Sequence, residues 1–213
     1  METVLLSIRS TIISAFLSLP LILISFVGFI AVALGNMGLF MLFIGHILIT
    51  PFVYASNYVL SKQNTLVYSR VGQLVPGSHI DSPYDNVTPS FWTTQIFFFF
   101  GYLISNAVHL TMKQKNDSKL DPKYIAKRTS KAMSIIVFGT MLMIFLVGFR
   151  YTRGTETSLG MMMATLIGLG GGIGWYAFAS ACNINIADIF GISQQMIPAK
   201  NSTPMTCVYA PKP

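Results

Sequence analysis

The sequence predicts an all-α integral membrane protein: a bundle of about five transmembrane helices, with a short interfacial helix near the C-terminus. Three observations carry that expectation. Charged residues make up only 10% of the 213 residues and hydrophobic ones 53%, whereas an ordinary soluble domain carries roughly 25% charged residues. The apolar residues come in runs long enough for membrane helices, which need about 20 residues each. The net charge of +7 is concentrated between two of those runs, a pattern that orients a membrane protein and does not suggest a specific nucleic-acid partner.

The first element is an uncleaved span. Glu2 and Arg9 are the only early charges, and the apolar stretch after Arg9 is much longer than a signal-peptide core, although Ala31-Val32-Ala33 mimics a cleavage site. Between Ser10 and Ser61 the only ionisable side chain besides tyrosine is His46. Two spans fit there, at 12–34 and 37–58, with Gly35-Asn36 as the turn. Pro20 and Pro51 fall inside them, which membrane helices tolerate because neighbours re-satisfy the freed carbonyls.

A polar outer loop follows at 59–90, with Pro76-Gly77, Asp81-Ser82-Pro83 and Asp85-Asn86 as turn signals and a glycosylation sequon at Asn86-Val87-Thr88. Phe91-Trp92 opens the third span, 91–112. The loop 113–131 is strongly basic, and the fourth and fifth spans are expected at 132–149 and 158–181. The membrane domain thus covers 1–182, and 183–213 forms an interfacial helix and an extended tail. In that helix Ile186, Ile189 and Phe190 share one face. Neither cysteine, Cys182 or Cys207, belongs to a metal or redox motif.

Short loops rich in Lys and Arg stay cytoplasmic. The 113–131 loop therefore faces the cytoplasm, the N-terminus and 59–90 face outward, and the tail faces inward; Arg150 and Arg153 count mildly against this scheme. Asp121-Pro122 reads as a helix start, after which Lys123, Lys127 and Lys131 recur every four residues beside Arg128. The fourth helix accordingly begins before the membrane and carries a basic stripe suited to anionic lipid headgroups or an acidic partner.

None of the five spans contains Asp, Glu, Lys or Arg, which argues against ion-coupled carriers and proton pumps. The uncharged polar residues are better organised. In the second span His46, Thr50, Tyr54 and Asn57 share one helical face, and in the third Gln95, Tyr102, Asn106 and His109 share another. The two stripes are expected to face each other, as hydrogen-bonding glue or as a wet pathway. His46 and His109 differ in depth by about 9 Å on this placement, which suits no shared haem. Gly168, Gly170, Gly172 and Gly174 form two overlapping small-xxx-small pairs for close helix packing, either internal or with a second copy. No cofactor, metal or catalytic set is expected.

The tail Cys182-Asn183-Ile184-Asn185-Ile186-Ala187-Asp188-Ile189-Phe190-Gly191-Ile192-Ser193, then Met196-Ile197-Pro198 and Cys207-Val208-Tyr209, resembles uncharacterised multi-pass membrane proteins of large DNA viruses infecting algae and protists. Asn86-Val87-Thr88-Pro89-Ser90-Phe91-Trp92 adds to the resemblance, which covers mainly the second half of the chain. It implies a virion or host internal membrane and a structural role, with capsid or other membrane proteins as partners, and it brings no catalytic residues. The sequence thus leads to a non-enzymatic, membrane-organising protein. The alternative is a small channel or facilitator lined by the second and third spans.

Overall fold

A computed structural model describes residues 11, 14–16, 18–62, 89–115, 122–152, 158–183 and 187–189, with the backbone alone for 57–62, 113–115, 122–125 and 128. The described chain is helical throughout: α1 (Leu19–Leu34), α2 (Met37–Lys62), α3 (Phe91–Lys115), α4 (Pro122–Thr152) and α5 (Ser158–Cys182). Four of these, α2 to α5, are long and apolar enough to cross a membrane, and α1 is a shorter apolar helix of 16 residues. The protein is a membrane-embedded helical bundle. The expected outer loop beyond Lys62, with its sequon, and the tail beyond Ile189 lie outside the described residues.

Local chemistry sets the helix ends. The first span, expected from residue 12, is divided at Ser18 because Pro20 sits in the opening turn of α1. Helical hydrogen bonding still runs past the division, Ser18 N–H to Ser14 O at 3.0 Å and Ile22 N–H to Ser18 O at 3.0 Å. Pro20 has no N–H to give Phe16 O, and the Trp92 indole N–H donates to that carbonyl instead, at 2.9 Å. The α1–α2 joint uses both of its residues. Gly35 takes φ +60°, where a side chain is strained, and Asn36 Oδ1 caps α2 by accepting the Leu39 N–H at 3.1 Å. Ser90 caps α3 in the same way, its Oγ accepting the Thr93 N–H at 3.1 Å.

The helices alternate in direction. Trp92 at the start of α3 meets Arg150 at the end of α4, with the guanidinium carbon 4.9 Å from the ring centroid. The α3 and α5 helices run parallel, since Gly168 lies against Thr94 and Gly172 against Phe98 and Tyr102. The Gly35 turn, the C-terminal end of α3, the N-terminal end of α4 and residues 187–189 therefore share one end of the bundle. Helix α3 is the core: 56% of its apolar window is buried inside the protein, against 17% for α4. Large apolar side chains such as Phe26, Phe29, Phe138 and Met141 point outward, as expected of a surface facing lipid.

The fourth helix is longer than its expected apolar span. It runs for 31 residues, about 46 Å at 1.5 Å per residue, and its apolar stretch begins only at Thr129. Lys127 and Lys131 are exposed, which places them at the boundary of the apolar stretch. The side chains of Lys123 and Arg128 are not described.

Candidate functional site

The polar residues of α2 and α3 come together in two separate groups, not in one continuous seam. The first group is built on His46, which is fully buried. Its Nδ1 lies 2.5 Å from Gln95 Oε1. Gln95 Nε2 donates to Thr50 Oγ1 at 2.9 Å and to the His46 carbonyl at 3.2 Å, and Thr50 Oγ1 donates to that same carbonyl at 2.9 Å. With its amide nitrogen committed to two acceptors, Gln95 presents its oxygen to His46, so the imidazole carries its proton on Nδ1. His46 Nε2 is then a bare lone pair with no hydrogen-bond partner, packed beside Phe98 and Phe99.

The second group is built on a piece of the tail. Residues 187–189 fold back into the end of the bundle. Ala187 O accepts from Tyr102 Oη at 3.1 Å and from Asn106 Nδ2 at 3.0 Å, and Ile189 O accepts from Asn36 Nδ2 at 2.8 Å. A methyl group on Gly38 would collide with the Asp188 carbonyl and the Ile189 nitrogen, so the segment crosses α2 backbone to backbone. Asp188 is 3% exposed. Tyr176 Oη lies 2.9 Å from His109 Nδ1.

This arrangement corrects three expectations. First, the two polar stripes do not face each other along their length. His46 lies opposite Gln95, which is eight residues, or about 12 Å, from the level expected of two spans in full register. Because α2 is shifted toward the Phe91 end of α3, Tyr102 packs in one cluster with Leu42 of α2, and Asn106 and His109 bond to the tail and to α5. The separation of His46 and His109 along α3 becomes about 21 Å, further still from a shared haem site. Tyr54 is half-buried with its ring 6.5 Å from Phe91, and the Asn57 side chain is not described.

Second, the described part of the expected interfacial helix is not on the lipid surface. Ala187, Asp188 and Ile189 are all buried; they fill the recess that the shifted α2 leaves beside α3. Asp188 was missed because it lies outside every apolar run. The available signal was an acid flanked by Ile186-Ala187 and Ile189-Phe190, an environment in which a solvated carboxylate is out of place.

Third, the two glycine pairs part company. A Cβ on Gly168 or Gly172 would strike the α3 backbone at Thr94 O or Phe98 O, and Gly101 approaches Leu169 O from the other side. Gly170 and Gly174 have no described atom within 4 Å of such a Cβ. Only the first pair packs internally, with α3.

Among the described residues no group of three or more His, Cys, Asp or Glu side chains could hold a metal ion. Comparison with known proteins returns nothing: no family model, no curated protein and no solved structure matches the chain.

Proposed function

We propose that the chain is a non-enzymatic membrane protein with a structural, membrane-organising role. One observation supports this reading above the others. The polar side chains that a conduction pathway or a reaction would need are bonded across the bundle, between helices or to the tail: His46 and Thr50 to Gln95, Tyr102 and Asn106 to Ala187 O, and His109 to Tyr176. Each such bond stabilises the bundle by about 0.6 kcal/mol on average in a membrane. In this reading the basic end, with Lys123, Lys127, Arg128 and Lys131, faces the cytoplasm and contacts anionic lipid headgroups or an acidic layer such as a capsid, while the N-terminus lies outside. Residence in a viral membrane is part of the proposal and rests on the tail motifs alone.

The test is ion and water flux in proteoliposomes of the purified protein, beside empty liposomes and the Gln95→Leu variant. The expected result is flux at the level of empty liposomes for both proteins. Flux that depends on Gln95 would overturn the proposal in favour of a channel through the His46–Gln95 group.

A further inference from the structure

Helices α4 and α5 both pack on α3 but scarcely touch each other. Between them lies a cleft of about 480 Å³, within the range of about 300–1,000 Å³ typical of small-molecule sites. Its α4 wall runs from Tyr151 through Val147 to Met143, and its α5 wall from Ser158 through Met162 to Leu166. Each wall rises over eight residues, about 12 Å at 1.5 Å per residue. Tyr151 and Ser158 stand within one residue of the ends of the two apolar stretches, and both are exposed. The cleft therefore opens at the headgroup level beside two hydroxyl-bearing residues and continues inward along a lining with no charged side chain.

We propose that this cleft binds one sterol, its fused rings lying between α4 and α5 and its hydroxyl beside Tyr151 and Ser158. Rigidity favours a sterol over a phospholipid chain. In a bilayer no hydrophobic force selects the occupant, because lipid tails are as apolar as the side chains that line the gap. The occupant that gains is the one that gives up least freedom on entering, and a fused ring gives up far less than an acyl chain. Charge favours it too, since an uncharged mouth suits a single hydroxyl better than a phosphate. The sequence carries an independent sign. Val147, Tyr151 and Arg153 have the spacing of a short pattern associated with cholesterol contact: Leu or Val, then Tyr, then Lys or Arg, with one to five residues between neighbours. Such a pattern is common, and its weight here comes from Val147 and Tyr151, one turn apart, standing in the wall of one cleft. Met143, Met161 and Met162 line the same cleft, and their flexible thioethers fit the uneven, methyl-bearing face of such rings. Phe97 of α3 adds a flat aromatic surface. The site does not depend on the proposed structural role.

Photo-crosslinking tests it. The full chain is reconstituted in phosphatidylcholine vesicles holding a minor fraction of cholesterol with a diazirine on its rings, then irradiated, and the adducts are mapped by peptide mass spectrometry. The expected result is labelling concentrated at residues 143–151 and 158–166, suppressed by unlabelled cholesterol and not by the same amount of dioleoylglycerol or phosphatidylglycerol. Tyr151→Phe should weaken labelling about threefold, the worth of one hydrogen bond in a membrane. Val147→Trp fills the cleft from α4 and should abolish labelling there. Met162→Trp, at an exposed position of α5, should do the same, so a folding defect in either variant leaves the other to decide. Adducts spread evenly over the lipid-facing helices, or suppression by phosphatidylglycerol as strong as by cholesterol, would overturn the proposal. So would cleft labelling that survives all three variants, or chains that cross-link to one another through α4 and α5 with no sterol adduct.

Discussion

Helices α4 and α5 are both apolar and both lie extensively against α3, but different atoms make the two contacts. At the α3–α5 contact Gly168, Gly172 and Gly101 bring backbone against backbone, while Tyr102, Tyr176 and His109 add ring contacts and a hydrogen bond along the same line. At the α4 contact two apolar clefts flank the helix, one toward α1 and one toward α5, and large side chains such as Phe138 and Ile144 point away from the protein. The difference shows what associates helices in lipid. Where small residues permit close approach, dispersion and hydrogen bonds act over the whole contact. Where bulky side chains fill the contact and leave apolar clefts beside it, lipid competes for those clefts on equal terms.

The largest effect should come from closing off the tight contact. Gly172→Leu places a side chain against Phe98 O and should cost several kcal/mol, beyond the roughly 1–3 kcal/mol usual for overpacking, because the obstacle is backbone. It should appear as loss of the monodisperse peak on heating in detergent. Survival of that peak at wild-type temperatures would mean that α3 and α5 are not in backbone contact.

Next in size is release of the tail. Gly38→Val obstructs residues 187–189 on α2. In a chain with Cys182 and Cys207 replaced by Ser, a reporter from Ala187→Cys should be protected from a maleimide when Gly38 is kept and should react at least tenfold faster when it is replaced. Equal rates would show that the segment does not occupy the recess.

Smaller again is Gln95→Leu, which removes the hydrogen bonds to Thr50 and His46 and should lower stability by about 1–2 kcal/mol, read as a lower midpoint in a denaturant titration. At the α4 contact, Arg150→Ala should cost about 0.5–1 kcal/mol through the lost contact with Trp92. The smallest effect is expected of Gly170→Leu, within about 0.5 kcal/mol of wild type, since that glycine faces no described atom. Equal losses for Gly170→Leu and Gly172→Leu would erase the distinction between the two glycine pairs.

The sequence by itself determined the membrane class, the order of the apolar helices and the nature of the joints, while one of the five expected spans, α1, is a shorter apolar helix. Length and hydropathy settle the spans, because a bilayer leaves the backbone no partner except its own helix. Gly35-Asn36 marks a turn because φ > 0 and a side-chain cap are local requirements, and Pro122 marks the start of α4 for an equally local reason. The glycines of α5 announced close packing but not which pair would be used, since both have the same spacing. Tertiary structure alone decided the sliding of α2 along α3, and with it every pairing of the polar residues. Helical periodicity fixes the face a side chain occupies and leaves its depth free. The shift is set by what fits between helices: Trp175 reaching the Met41 carbonyl at 2.7 Å over Gly45, and a length of tail, with a buried acid, entering the recess beneath. Neither partner is near the other in sequence, so no local pattern could carry that information.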